Sequence, residues 1–295
     1  MSPPLTIWCN THFPDPAMAE LRERLSGHRL LLSAGLQKSN LVTAGPDPSL
    51  AQADIALGQP ELGQAMSLPG LRWVHLTSAG YTRYDRDDVR AAFAGRGAVM
   101  TNSSSVYAEP CAEHVFAMML AMSRRLPQCV EDQRAARPWR TAEHRAASHL
   151  LTAQTVLILG FGAIAARLVE LLAPLRMEVV AVRRRPMGNE GCRVLPVGMT
   201  DELLPLADHI VNILPASPAT TNFLDRRRLG LMKPTALLYN IGRGATVDQA
   251  ALVTALNQQK IAGAYLDVTD PEPLPPEHPL WSAPNCHITP HTAGG

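Results

Sequence analysis

Val156-Leu157-Ile158-Leu159-Gly160-Phe161-Gly162-Ala163-Ile164-Ala165 is the stretch that decides the fold of this chain. Four apolar residues run into a turn with glycine at its first and third positions, and Ile164, Leu168, Leu171 and Leu172 then recur at helical spacing. The pattern predicts a buried strand, a tight turn and a helix N-terminus, in the order that dinucleotide-binding sheets use. Gly160 permits the turn, Gly162 lets the backbone approach a pyrophosphate, and the small Ala165 lets helix and strand pack closely. The backbone N–H groups at the helix start, around Ala163 and Ile164, favour a phosphate there. Glycine pairs of this kind also serve as plain packing turns, so the rest of the chain has to supply a substrate site.

The remaining composition is in the normal range for a globular protein. At 295 residues and 46% hydrophobic content, the chain is long enough for two domains with their own cores. No window approaches the ~18–20 uninterrupted apolar residues of a membrane span. The start, Met1-Ser2-Pro3-Pro4-Leu5-Thr6-Ile7-Trp8, lacks the basic and apolar regions of a secretory signal. Five scattered cysteines without a C-x-x-C pair suggest neither a disulfide framework nor a zinc cage, and no metal is expected. A reducing cytoplasm is the expected compartment. A net charge of +1 gives no support to nucleic-acid binding, and the run Asp225-Arg226-Arg227-Arg228 reads as a solvated helix start.

Before the glycine turn, Leu5–Cys9, Leu30–Leu32, Asp54–Leu57, Trp73–Leu76 and Val99–Met100 read as strands, with a helix face at Met18, Leu21 and Leu25. Such alternation predicts a small parallel α/β domain of its own. Thr77-Ser78-Ala79-Gly80 follows a strand at its carboxyl end, where backbone N–H groups can hold a carboxylate; an ordinary turn is the plain alternative. The polar cluster Asn102-Ser103-Ser104-Ser105 marks the expected domain boundary. A helix from Ala112 to Leu126 then presents Val115, Met118, Met119 and Met122 on one face, as core. Residues 127–149 are expected to be irregular, anchored by Trp139, and to form an arm between domains or subunits.

Beyond the turn, Val179–Val182 predicts a second strand that ends in Arg183-Arg184-Arg185. About twenty residues past the glycines an acidic residue normally binds the ribose hydroxyls of NAD. Guanidinium groups there pair instead with the 2′-phosphate of NADP. A charge pair at ~4 Å contributes roughly 4 kcal/mol at an effective dielectric of ~20, before exposure reduces it. A tenfold preference needs only about 1.4 kcal/mol, so NADP(H) is expected to be preferred, with NAD(H) accepted. Strands at His209–Leu214, Ala236–Asn240, Ala264–Leu266 and His287–Thr289 bring the expected total to six. Helices fit between them at Asp201–Leu206, Arg226–Met232 and Gln249–Gln259. Leu214-Pro215 and Ile241-Gly242 fall at strand ends, on the rim where a cofactor sits.

Three motifs close the chain: Asn240-Ile241-Gly242-Arg243-Gly244, Leu266 through Pro273 with Asp267 and Glu272, and Thr289-Pro290-His291-Thr292-Ala293-Gly294. Each follows a predicted strand, so an arginine, a carboxylate and a histidine meet on one rim. A 2-keto acid calls for these types. Arginine forks onto the carboxylate and polarises the ketone. Histidine delivers a proton to the oxygen, and a neighbouring carboxylate favours its charged form and fixes its orientation.

On these residues, together with Leu76 through Gly80, Ala112-Glu113-His114 and Pro215 through Thr220, the chain resembles the D-isomer-specific 2-hydroxyacid dehydrogenase family. The resemblance is to its glyoxylate/hydroxypyruvate reductase branch and runs from about Asp54 to Gly294. It implies an α/β fold of two Rossmann-like domains: a flavodoxin-like substrate domain over 1–102 and a doubly wound dinucleotide-binding domain over 103–285. Residues 286–295 are then a return segment carrying His291, expected to be cut short, because relatives continue with a helix back to the first domain. The resemblance implies Arg243, Glu272 and His291 as catalytic residues, with Ala79, Gly80 and Arg243 on the substrate. It implies Gly160, Gly162, Ala163, Ile164, Arg183, Arg184, Pro215, Thr220, Ile241, Asp267 and Gly294 on the cofactor, Asp267 at the nicotinamide carboxamide. It further implies a homodimer acting on a small 2-keto acid, with no nucleic-acid or membrane partner. Two departures stand out: Arg183 at the usually acidic position, and Ser105 where many relatives have glycine. A nucleotide-sensing, corepressor-like binding protein and a formate or phosphite dehydrogenase are the rival expectations.

Overall fold

In the computed structural model, which describes residues 3–38 and 44–295, the quoted apolar run is a strand buried on both faces. Val156 and Ile158 enter one hydrophobic layer, Leu157 and Leu159 the other, and none is more than 1% exposed. Side chains alternate along a strand, so a fully apolar run requires cover on both sides, the condition of a parallel sheet between helices. Burial of each such side chain stabilises the sheet by roughly 1.5–3 kcal/mol.

The chain divides into two compact units, Met1–Val106 and Tyr107–Gly295. The first holds β1 (Thr6–Thr11), α1 (Asp15–Arg24), β2 (Arg29–Gln37), β3 (Ile55–Leu57), α2 (Leu62–Ser67), β4 (Trp73–Leu76), α3 (Asp87–Ala94) and β5 (Val99–Asn102). Its five strands are parallel in the order β2-β1-β3-β4-β5, the flavodoxin-like order. Trp8, Leu50, Leu71, Val74, Leu76 and Phe93 lie in its core. Met18, Leu21 and Leu25, the face expected of the first helix, are half-buried, and no residue of α1 is fully buried. Met1 and Ser2, part of the stretch read against a secretory signal, lie outside the described residues.

The second unit begins with α4 (Ala108–Ser123), α5 (Leu126–Arg134) and α6 (Thr141–Ala147). It continues through β6 (Thr155–Leu159), α7 (Ala163–Leu172), β7 (Glu178–Arg183), β8 (Arg193–Pro196), α8 (Thr200–Leu203) and β9 (His209–Asn212). Then come α9 (Arg226–Leu229), β10 (Leu237–Asn240), α10 (Gln249–Asn257), β11 (Gly263–Leu266) and β12 (Cys286–Ile288). Its seven strands run parallel in the order β12-β11-β10-β9-β6-β7-β8, a doubly wound sheet whose order reverses between β6 and β9. Leu159 pairs with Asn212, Asn212 with Asn240, Asn240 with Leu266 and Leu266 with Ile288, so these strands end level and their loops share one rim.

The two compact units meet at Val106/Tyr107, and Ser103 is tied to the first through its N–H to the Ser78 carbonyl and its hydroxyl to the Leu76 carbonyl. Cys286–Ile288 is the edge strand β12, and the tail through Gly295 lies in the second unit. Several expectations need correction. The sheet has seven strands, not six, since the short edge strand β8 escapes a hydrophobic reading. The helix expected from Ala112 to Leu126 starts at Ala108 and stops at Ser123, and residues 127–149, expected to be irregular, contain most of α5 and all of α6. Trp139 anchors nothing, being 95% exposed. The arginine run after Asp225 does start a helix, capped by the Asp225 carboxylate, but Arg228 packs over the Phe223 ring and pairs with Asp201.

Candidate active site

Gly160 closes β6 with φ +93°, and a Cβ there would meet the Ile213 carbonyl at 3.2 Å. Only glycine accepts that backbone at low cost. Gly162 caps α7 with no side-chain hydrogen bond, and a Cβ on it would meet nothing within 4 Å. The first N–H groups of α7, at the exposed Ala163 and at Ile164, have no partner within the helix and lie where strand order reverses. A pyrophosphate fits this cradle.

The neighbouring loops shape the same rim. After β9, Pro215 is exposed, and its carbonyl accepts from the Thr220 hydroxyl at 2.6 Å, which folds residues 215–220 into a closed turn. After β10, Ile241 is buried, and Gly244 sits where a Cβ would lie 2.0 Å from the Thr269 backbone. The loops after β10 and β11 can thus touch only through glycine. Two buried asparagines at the strand ends, Asn212 and Asn240, hold the arginine loop. Asn212 donates to Asn240 Oδ1 and to the Thr246 hydroxyl, and Asn240 Nδ2 donates to the Arg243 carbonyl at 3.1 Å.

Arg243 donates from Nη1 to the Gly242 carbonyl at 2.6 Å. Burial pushes its pKa below the usual guanidinium value while the charge of Glu272 pulls the other way. Glu272 receives His291 Nδ1 at 2.8 Å and the Thr269 N–H at 3.0 Å. Burial works against its ionisation, but the hydrogen bonds from His291 and Thr269 and the charges of His291 and Arg243 prevail, so its pKa lies below the usual carboxylate value. With Nδ1 turned to Glu272, Nε2 is the His291 nitrogen left to exchange a proton with a substrate oxygen. The structure thus gathers the arginine, carboxylate and histidine expected from the sequence.

Asp267 lies 2% exposed among donors. Its Oδ1 accepts from the Thr289 hydroxyl at 2.6 Å and the Thr292 N–H at 2.9 Å, and its Oδ2 from the Ala293 N–H at 3.0 Å. The Thr289 hydroxyl also meets Tyr265 Oη, which in turn meets His114 Nε2. A buried chain therefore runs from α4 to the loop that carries His291, whose own N–H donates to the Asp267 carbonyl at 2.9 Å. The carboxylate expected at the nicotinamide carboxamide is spent largely on seating this loop. Gly294 ends it in a close approach, where a Cβ would lie 2.9 Å from the Tyr107 ring.

Three successive arginines, Arg183, Arg184 and Arg185, follow the apolar part of β7. Arg183 pairs through Nη1 with Glu190 Oε1 at 3.3 Å, whereas Arg184 and Arg185 are exposed, with no side-chain partner among the described residues. The acid lies seven residues on, across a loop, where no periodicity signals it.

In the first unit, the loop after β4 has its carbonyls occupied. Asn102 Nδ2 donates to the Ala79 carbonyl at 2.8 Å and the Ser78 hydroxyl to the Gly80 carbonyl at 2.6 Å. The N–H groups of Ala79 and Gly80 have no acceptor among the described residues. Such a loop can receive a carboxylate.

The family model "D-isomer specific 2-hydroxyacid dehydrogenase, NAD binding domain" matches residues 116–293. A glyoxylate reductase of Korarchaeum cryptofilum is 34% identical over 233 residues, 76% of this chain and 67% of that one. The human glyoxylate reductase/hydroxypyruvate reductase is 32% identical over 223 residues, 75% of this chain and 67% of its own. Among solved structures, an NADPH-dependent glyoxylate/hydroxypyruvate reductase of Sinorhizobium meliloti, in complex with NADP and malonate, superposes with a TM-score of 0.73 at 27% identity. That alignment covers 100% of this chain and 88% of the other. The chain belongs to the D-isomer specific 2-hydroxyacid dehydrogenase family and is an NAD(P)-dependent oxidoreductase of its glyoxylate/hydroxypyruvate reductase-like branch.

Proposed function

We propose that this protein reduces a small 2-keto acid of the glyoxylate or hydroxypyruvate type, with NADPH preferred over NADH. The His291–Glu272 hydrogen bond beside Arg243 is the observation that carries the reading. When bound, the nicotinamide supplies the hydride that reduces the carbonyl carbon. Arg243 pairs with the substrate carboxylate and polarises the carbonyl. His291 gives its Nε2 proton to the carbonyl oxygen, and Glu272 holds the ring at Nδ1 so that Nε2 faces the substrate. Within the first unit, the Ala79 and Gly80 N–H groups can receive a carboxylate. Arg183 and Arg184 favour a 2′-phosphate over free ribose hydroxyls.

NADPH and NADH oxidation against a panel of 2-keto acids tests this directly. Turnover of glyoxylate and hydroxypyruvate with a lower KM for NADPH is expected. Turnover of neither, or a lower KM for NADH, contradicts the substrate or the cofactor assignment respectively.

We further propose a homodimer. Leu126 and Val130 of α5, Leu150 and the 95%-exposed Trp139 leave large apolar groups uncovered around the α5–α6 arm. Sedimentation should give twice the chain mass, and Trp139→Glu should shift it toward monomer.

A further inference from the structure

We propose that Glu190 is a positioning residue for the cofactor's 2′-phosphate: it fixes Arg183, so that the free edge of the guanidinium is presented ready-ordered at the ribose position. The proposal rests on the dinucleotide reading of the rim. Arg183 is the last residue of β7, where the ribose of a bound dinucleotide lies in doubly wound sheets. Glu190 folds back beneath the loop. Its Oε1 accepts the Met187 N–H at 2.6 Å and Arg183 Nη1 at 3.3 Å, and its Oε2 accepts the Gly188 N–H at 2.7 Å. Gly188, at φ +83°, allows the turn that brings both N–H groups onto the carboxylate.

A carboxylate at the ribose position would ordinarily accept the hydroxyls of NAD. Glu190 is placed differently. Its side chain is only 2% exposed, and both oxygens already accept hydrogen bonds, so it is turned inward to the loop and to Arg183. The Met187 and Gly188 N–H groups, with the Arg183 guanidinium, hold its carboxyl below the usual value against the effect of burial, which keeps the counter-charge fixed near neutrality. Arg183 keeps its other nitrogens without a partner among the described residues, and its side chain remains 26% exposed. Arg184 and Arg185, exposed and unpartnered among the described residues, must be ordered by whatever they bind. Arg183 has been ordered beforehand, and preorganisation of this kind strengthens binding by reducing that cost.

Because Glu190 acts through Arg183, the two substitutions should not add. The experiment is calorimetric titration of the full chain with 2′,5′-ADP and with 5′-AMP, in wild type, Glu190→Gln, Arg183→Ala and the double variant. Wild type should bind 2′,5′-ADP at least tenfold tighter than 5′-AMP. Glu190→Gln should lose about five- to tenfold on 2′,5′-ADP and less than twofold on 5′-AMP, and the double variant should bind no worse than Arg183→Ala. Unchanged or tighter 2′,5′-ADP binding in Glu190→Gln, or additive losses in the double variant, would overturn the proposal. If Glu190→Gln loses both ligands through misfolding, Arg183→Lys decides. It keeps the charge and both backbone hydrogen bonds of Glu190 but not the fixed fork, and equal binding of 2′,5′-ADP by that variant overturns the proposal. Wild type that binds both nucleotides equally overturns this inference and the NADPH preference but leaves the dinucleotide reading standing; wild type that binds neither overturns the dinucleotide reading as well.

Discussion

In the first unit the strand order reverses between β1 and β3, and side-chain amides fill the gap. Asn10 Nδ2 donates to the Gln59 carbonyl, Asn10 Oδ1 accepts the Gln59 N–H, and the Gln59 side chain reaches the Ser78 hydroxyl at 2.9 Å. In the second unit the reversal falls between β6 and β9, and the rim there is built from Gly160, Gly162 and the bare N-terminus of α7. Both sheets are parallel and layered with helices, and topology alone offers a crevice in each. Only the second leaves its crevice open. The first converts the same position into a buried support for the loop that holds Ala79 and Gly80. A switch point becomes a nucleotide site only where the residues on its rim leave backbone N–H groups uncovered.

The largest expected effect tests whether the first reversal is rigidly sealed. Gly58 has φ +128°, and a Cβ there would lie 2.0 Å from Asn10 Oδ1. Gly58→Ala combines backbone strain with a broken buried hydrogen bond and should cost about 3–5 kcal/mol. Hydrogen exchange should show the loss in Met1–Val106, with nucleotide binding by the second unit retained. Unchanged protection would mean that the seal is soft and the contrast false.

Acid should separate the units next. His209, buried in β9, bonds through Nδ1 with Tyr239 Oη at 3.1 Å and through Nε2 with Gln154 Oε1 at 2.7 Å, and burial lowers its pKa to about 4. The folded state thus resists a proton that the unfolded state takes up near 6.5. The associated stability is present above pH 6.5 and is lost as pH falls toward 4, by up to about 3 kcal/mol. Urea midpoints of the second unit should fall over that window, and His209→Gln should flatten the fall. The same pH dependence in the variant would remove His209 as the cause.

The smallest expected change in free energy falls on the open rim. Gly162→Val should weaken nucleotide binding at least tenfold, about 1.4 kcal/mol, and leave the urea midpoint unmoved, since a Cβ there meets nothing within 4 Å. Lost stability with unchanged affinity would show that Gly162 is a packing residue like Gly58.

Much of this was legible in the sequence because parallel strands buried on both faces leave short apolar runs, and the rim residues follow those runs directly. Gly160, Ile241, Asp267 and the His291 loop are found in this way. The exposed α5 and α6 bury no residue fully, so packing imposes no period on them. The edge strand β8, Arg193-Val194-Leu195-Pro196, is too short, and too exposed at both ends, to stand out. Asn10 with Gln59 and Arg183 with Glu190 join across loops, by contacts that no local spacing encodes. Glu272 and His291 lie 19 residues apart and meet only because β11 and β12 are adjacent in register.

The central claim is that His291 is the proton donor and that the open rim binds nucleotide independently of it. Steady-state reduction of glyoxylate by His291→Asn, with nucleotide affinity measured on the same protein, tests both halves at once. The account predicts a fall in kcat of about 10³-fold with nucleotide affinity within twofold of wild type. Turnover within tenfold of wild type, or loss of nucleotide binding, would contradict it.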